Sequence, residues 1–445
     1  MNSTYSLSAA IERGGSRWKG HQGEAETTLP LDPFILMTLA LVGAGIYEKA
    51  GLDRAVGRIP IRIHVNGTRG KSSVTRLIAA ALRGGGLRVL AKTTGSAARL
   101  VLPDGAEVAL NRRGGASILE YVPVLREAAR QRVDAVVIEC MAVRPEYQRF
   151  TEREILRATI AVITNARCDH MDEMGETEED VARALCSVIP GEGAVFTAED
   201  LHLEIIRREA KRRGSRVVTL NEAGFPPGDC GEVAEIASRL SYLEFEENIG
   251  LALAVARYCG VEPDAARSGI LGVTPDPGAL KIWKARWPGD SLTYFVNAFA
   301  ANDVDSARRV VARVTTILPL ASASSRIVGI LNCRADRPDR TRQWADALIK
   351  GHFPVDVVIA TGSGCYPLRA FRPAIRQRGV DFRLLGAVSP DRVMQEIGTV
   401  VTEGGIVLGL GNIAGAGMAL AKMWAGMGEE EWKPGSGSAS LPASL

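Results

Sequence analysis

From Ile59 onward the chain alternates short β-branched apolar runs with stretches whose apolar residues recur every three to four positions. Such alternation predicts an α/β fold, a parallel-rich sheet wound by helices. In a first block the predicted strands are 59–65 (IPIRIHV), 87–93, 133–140, 159–165, 193–198 and 215–220. RLVLPDGAEVAL sets Asp104-Gly105 between two short alternating runs, a hairpin signal. A helix carrying Asn248 closes the block near Gly260, and VTPDPGALKIW (273–283), rich in proline and glycine, reads as a linker. A second block has predicted strands at 325–332, 355–362, 381–386 and 404–411. The expected organisation is a central domain over 59–272 and a smaller C-terminal α/β domain over 279–428. Residues 1–32 and 433–445 have the polar, small-residue composition expected of flexible extensions.

A different pattern occupies Pro33–Tyr47, an unbroken apolar run, with the expected helix extending to residue 50. Fifteen helical residues span about 22 Å, short of the roughly 30 Å hydrocarbon core of a bilayer. Two readings stand: a docking helix packed on protein, or a membrane anchor. Lys49, Arg54, Arg58 and Arg62 crowd only its C-terminal side, which for an anchor places the rest of the chain in the cytoplasm. Some thirty polar residues precede the run, which disfavours a signal peptide.

Charge narrows the functional classes. Fifty-four Lys plus Arg against 51 Asp plus Glu leave a net charge of +3, without the basic excess of a nucleic-acid binder. Aromatics at 5% are too sparse for a base-stacking platform. Seven scattered cysteines, no pair of them at metal-ligand spacing, read as reduced thiols.

The chemistry begins at VNGTRGKSS (65–73), directly after a strand and before an amphipathic helix. Gly67 and Gly70 permit a tight turn in which the backbone N–H groups of Thr68, Arg69, Gly70 and Ser73 point at phosphate oxygens. Lys71 is placed to reach the β/γ-phosphates, and the Ser72 hydroxyl to ligate Mg²⁺. Val65 stands where the longer phosphate loop has its first glycine, so this is a shortened form. Past the ends of two further strands lie Glu139 and the run Asn165, Asp169, His170, Asp172. Hard oxygens with an imidazole beside a phosphate loop suit Mg²⁺ or Mn²⁺.

These motifs resemble the ATP-binding core of Mur-type amide ligases, and within that superfamily the ligase subunit family of poly-γ-glutamate synthases. The likeness rests on NGTRGKSSVTRL, AKTTGSAAR, ECMAVRPEYQ, DHMDEMG, TPDPGALKI, FVNAFAANDVDS, NCRADRPDRTRQWAD and GLGNIAGAG, from about Ile59 to Gly417. It implies a Mur-ligase-like central phosphate-loop domain, a smaller Rossmann-like C-terminal domain and a short N-terminal apolar helix. The implied activity is ATP-dependent activation of a glutamate γ-carboxylate as an acyl phosphate, then amide formation with an amino group. By the resemblance Lys71, Glu139 and His170 serve catalysis, and Ser72, Glu139 and His170 hold metal. Asn248 lies near the adenine, and Asn302, Asp303, Arg334 and Asp336 close over the nucleotide or receive the incoming amino acid. Implied partners are glutamate, the growing chain and membrane subunits of a synthase complex, at the cytoplasmic membrane face. Mur ligases also carry a carbamylated lysine after the DH motif, whereas VIPGEGAVFTAED has none. Lys92, Thr93, Thr94 and Arg99, just after the second strand, are candidates to hold the anionic chain. The alternatives are a ligase for another acceptor, of Mur or folylpolyglutamate type, and a non-catalytic ATP-binding subunit of an export complex.

Overall fold

The computed structural model describes residues 33–430, apart from 95–97, 111, 113–115, 227, 229–230, 241, 277–278, 302 and 319–324. The two expected extensions, 1–32 and 433–445, thus lie outside the described residues.

The first sheet comprises β1 (Ile61–Asn66), β2 (Val89–Thr93), β3 (Arg99–Val101), β4 (Glu107–Ala109), β5 (Ala135–Glu139), β6 (Ile160–Ile163), β7 (Ala194–Thr197) and β8 (Arg216–Thr219). Their spatial order is β4-β3-β2-β5-β1-β6-β7-β8. All neighbours run parallel except the β2–β3 and β3–β4 pairs, the hairpin around Asp104-Gly105. Central parallel strands are covered on both faces, so β5 and β6 read as continuous apolar runs. Alternate residues go to opposite cores. Ile63, Val65, Ala135 and Val137 pack with helices Lys71–Gly84, Glu246–Tyr258 and Pro263–Leu271, while Val136 and Ile138 face helix Tyr121–Arg130.

The second sheet comprises β9 (Lys281–Arg286), β10 (Leu292–Asn297), β11 (Arg326–Asn332), β12 (Val357–Thr361), β13 (Asp381–Gly386), β14 (Gly405–Gly411) and the two-residue β15 (Glu429–Glu430), ordered β13-β12-β11-β14-β10-β9-β15. Here β9 pairs antiparallel with both β10 and β15, while the remaining neighbours run parallel. This corrects the sequence reading at two points: β9 starts inside the stretch read as linker, and β10 was not expected. In β9 the polar residues Lys281, Lys284 and Arg286 interrupt the apolar run that marks a buried strand.

The N-terminal apolar helix also differs in length. It runs Pro33–Gly57, 25 residues, or about 37 Å at 1.5 Å per residue. Glu48 and Lys49 end the apolar run without ending the helix, and Leu52, Ala55 and Val56 are its buried residues. Residues 33–51 form a compact unit of their own, and every residue from Pro33 to Ala50 is exposed.

Candidate active site

The phosphate loop is held from both faces of the sheet. Below it, the Asn66 amide donates to Gln148 Oε1 (2.9 Å) and to the Leu185 carbonyl (3.2 Å), pinning the end of β1. Above it, Gly67 takes φ +134° and Gly70 φ +79°. A Cβ on Gly67 would lie 2.0 Å from Thr164 Oγ1, and one on Gly70 2.8 Å from Asn248 Oδ1. Neighbouring chain therefore closes on the loop as tightly as glycine permits. The Asn165 carboxamide oxygen accepts from Thr68 Oγ1 (2.6 Å) and from the Arg69 N–H (3.0 Å), tying the loop to the end of β6. No side chain caps helix Lys71–Gly84, so its first-turn N–H groups are unclaimed by a cap and available to an anion.

Lys71 Nζ donates to the Gly67 carbonyl at 2.6 Å, curled over the loop. Burial lowers its pKa, with Glu139 and Asp169 opposing that shift. Ser72 Oγ donates to Glu139 Oε2 at 2.8 Å, and the Thr94 N–H donates to the same oxygen at 2.6 Å. Glu139, 2% exposed, thus stands at the end of β5 against the loop serine. This pair is a hard-oxygen donor set of the kind Mg²⁺ uses, since that ion takes one or two protein oxygens and completes its shell with water and phosphate. Among the described residues no three His, Cys, Asp or Glu side chains gather into a metal-holding group.

His170 sits at φ +48° before a short helical turn, both ring nitrogens facing Arg337 Nη2 at 3.2 and 3.3 Å. Burial lowers its pKa; Asp169 opposes this, and Arg337 and Arg340 add to it. The neutral imidazole that results is the form able to ligate or accept. Asp169 itself bridges domains, paired with Arg69 Nη1 (3.3 Å) of the loop and with Arg340 of helix Pro338–Lys350. Arg69 Nε also meets Asp303 Oδ2 at 2.5 Å. Burial opposes ionisation of Asp169, but the two guanidiniums hold its carboxyl at about 2.

A cleft of about 910 Å³ runs between the loop and the second sheet. Thr68–Ser73, Glu139, Asn248 and Arg334 line it; His170 and Asp336 do not. Arg334 is engaged with Asp336 (2.8 Å and 2.5 Å), an exposed pair at the cleft's edge. Asn302 lies outside the described residues. Lys92, a candidate chain holder, is instead fully buried, paired with Glu120 Oε2 at 3.3 Å and lying 4.8 Å from the Tyr121 ring centroid, which removes it from any contact with a polymer.

Sequence reasoning missed Glu244. Its Oε1 accepts from Asn248 Nδ2 (2.7 Å) and the Phe245 N–H (2.9 Å), and Ser73 Oγ donates to its Oε2. Burial raises its pKa, and those donors oppose the shift. The i, i+4 spacing to Asn248 was the signal available. Arg340, which reaches Asp169 across 171 residues of chain, left no local signal.

Residues 65–248 match the Mur ligase middle domain family, and residues 283–427 match the poly-gamma-glutamate synthase CapB C-terminal domain family. The chain is 33% identical to the capsule biosynthesis protein CapB of Bacillus anthracis over 391 residues, 87% of this chain and 81% of that protein. It is 33% identical to the PGA synthase CapB of Bacillus subtilis (strain 168) over 389 residues, 86% of this chain and 94% of that one. The chain belongs to the CapB family of poly-γ-glutamate synthases. In fold it is similar to the bifunctional folylpolyglutamate synthase/dihydrofolate synthase of Yersinia pestis complexed with AMPPNP and Mn, at TM-score 0.61 and 16% identity, covering 84% of this chain and 92% of that one. Such a bifunctional synthase with Mn, AMPPNP and L-glutamate bound aligns at TM-score 0.58 and 16% identity, over 84% and 93% of the two chains. The CapB-family chain thus joins a Mur ligase middle domain to a CapB C-terminal domain.

Proposed function

We propose that this CapB-family chain is an ATP-dependent amide ligase that phosphorylates a glutamate γ-carboxylate and passes the acyl group to an amine, extending poly-γ-glutamate and releasing ADP and phosphate. The observation that carries this reading is the phosphate loop with Ser72 against buried Glu139, in a chain 33% identical to a PGA synthase over most of its length. Lys71 neutralises the transferring phosphoryl oxygens, and the first-turn N–H groups hold the phosphates. Ser72 and Glu139 would hold a divalent cation, Mg²⁺ or Mn²⁺, with His170 the further ligand once its ring leaves Arg337. That cation, when bound, supplies charge neutralisation at the phosphates. Asn248 and Arg334 border the nucleotide, with Asp336 orienting Arg334. Asp303 and Arg69 hold the second domain over the cleft, which keeps water from the acyl phosphate.

Helix 33–57 is proposed as a membrane anchor working beside membrane subunits. An 18-residue window within it has mean hydropathy 1.4 and is 6% buried. Leu39→Asp with Val42→Asp should then move the chain from the membrane to the soluble fraction; unchanged fractionation would remove the anchor.

The test of the reaction is ATP turnover with Mg²⁺ and glutamate or short γ-glutamyl chains, hydroxylamine present. Glutamyl hydroxamate in step with ADP, lost in Lys71→Ala, is the expected result. ATP binding without hydroxamate, with the other synthase subunits supplied, would sink the ligase reading.

A further inference from the structure

The cleft contains a cation that the nucleotide loop does not account for. Arg167 follows β6, and its backbone N–H donates to Thr68 Oγ1 at 3.2 Å, so its position is set by the phosphate loop. Its side chain is half-buried and lines the cleft, yet it makes no ion pair or side-chain hydrogen bond among the described residues.

The carboxylates around it are committed elsewhere. Glu199 accepts from the N–H groups of Ala166 (2.7 Å) and His202 (3.0 Å). Asp303 serves Arg69 and caps its own helix through the Ser306 N–H (2.9 Å). Glu247 lies 3.7 Å from Arg309. Arg309, on helix Val304–Ile317 of the second domain, also lines the cleft and is half-exposed. Both guanidiniums line the same cleft; burial first, and then the charge of Arg309, lower the Arg167 pKa, while Asp303, Glu247 and Glu199 oppose that shift.

Two guanidiniums from different domains, lining one cleft whose nearby carboxylates serve other donors, gain from an oxyanion between them. We infer that Arg167 and Arg309 form a carboxylate-binding subsite that takes an α-carboxylate of the γ-glutamyl substrate. The inference rests on the ligase reading for the identity of that substrate. A γ-linked chain keeps one free α-carboxylate per residue, and planar guanidiniums match carboxylates in two-point contact. Nucleotide phosphates are the other oxyanions in this reaction, but the loop already offers them Lys71 and a helix N-terminus. An entering carboxylate has only a loose 3.7 Å pairing to displace at Arg309.

The experiment is calorimetric binding of a synthetic γ-linked tetraglutamate to the full chain, with Mg²⁺ and a non-hydrolysable ATP analogue. Arg167→Gln and Arg309→Gln should each weaken the peptide at least tenfold and leave analogue affinity within twofold. Arg167→Lys, which keeps charge but loses the fork, should weaken it less than Arg167→Gln. A peptide with methylated α-carboxylates should not bind. Thermal melts of each variant exclude misfolding, and a peptide-specific loss in a variant that melts like wild type is the decisive readout. Undiminished peptide binding in Arg167→Gln overturns the inference, as does a wild-type chain that does not bind the peptide. A tenfold loss of analogue affinity with peptide binding unchanged also overturns it and makes the pair a phosphate subsite. If the peptide binds as expected while hydroxamate never forms, the subsite stands and the ligase reading falls.

Discussion

Glu244 is a buried carboxyl with four donors aimed at it, from Ser73 of the loop helix, Asn248, the Tyr242 hydroxyl and the Phe245 backbone. Removing a shared acceptor strands every donor, and each buried orphan costs about 1–3 kcal/mol. Glu244→Ala should therefore lose about that much in chemical denaturation and weaken nucleotide binding by roughly tenfold, because Ser73 and Asn248 are both cleft-lining. A variant with wild-type stability and nucleotide affinity would show Glu244 to be idle. Gly67 tests the loop from the other side. At φ +134°, with Thr164 Oγ1 2.0 Å from where a Cβ would stand, Gly67→Ala should all but abolish nucleotide binding, read by fluorescent-nucleotide titration. Retained affinity would mean that the loop takes some other shape when it holds phosphate. At this scale the loop was legible in the sequence because one turn and one helix start contain it. Glu244 and Arg340 were not, since their partners are set by packing between elements distant in the chain.

Elements were legible in proportion to their burial. β5, β6 and β14 are apolar runs because helices cover both faces, and each lies within its predicted span, while β1 alternates apolar with polar residues and ends at Asn66, one residue past its span. β9 carries three charged residues, Lys281, Lys284 and Arg286, beside a stretch rich in proline and glycine, and its turn-like neighbourhood hid it. The far face of β1 holds a polar seam that periodicity cannot reveal. His64 Nδ1 meets Glu152 Oε2 at 2.9 Å on helical segment Thr151–Leu156, both fully enclosed, one alternation below the Asn66–Gln148 bond. Burial disfavours the imidazolium, but Cys140 and Glu152 outweigh it and raise the His64 pKa to about 9. A histidine whose pKa is higher folded than unfolded stabilises the fold fully below the unfolded value of about 6.5 and loses that contribution as pH rises through the folded one. The chain should accordingly lose of order 3 kcal/mol of stability between about pH 6.5 and 9. His64→Gln should flatten that slope. Denaturation curves across this range that are parallel for the two proteins would refute the charged pair.

At the scale of the whole molecule, the two sheets communicate through the phosphate loop. Arg69 is held by Asp303 of the second domain and by Asp169, which Arg340 grips from the same second domain. Arg69, directly before the second loop glycine, is thus the pin on which the domains meet, and loop geometry and domain closure are one variable. Asp303→Asn separates that role from local folding, because asparagine caps a helix as well as aspartate does while giving up the charge. Helix Val304–Ile317 should stay intact, its Ser306 N–H still satisfied, and Tm should move little. The domains should part more readily: small-angle scattering should give a larger radius of gyration without nucleotide, and the KM for ATP should rise roughly three- to tenfold. Salt should mimic the substitution in the wild-type chain, since these pairs are partly exposed and are screened over about 10 Å at 0.1 M. Added salt should do little more to Asp303→Asn. If the variant scatters and binds ATP as wild type does at low salt, the Arg69–Asp303 contact holds nothing together, and closure must come from the other contacts across the cleft, Asp169–Arg340 among them.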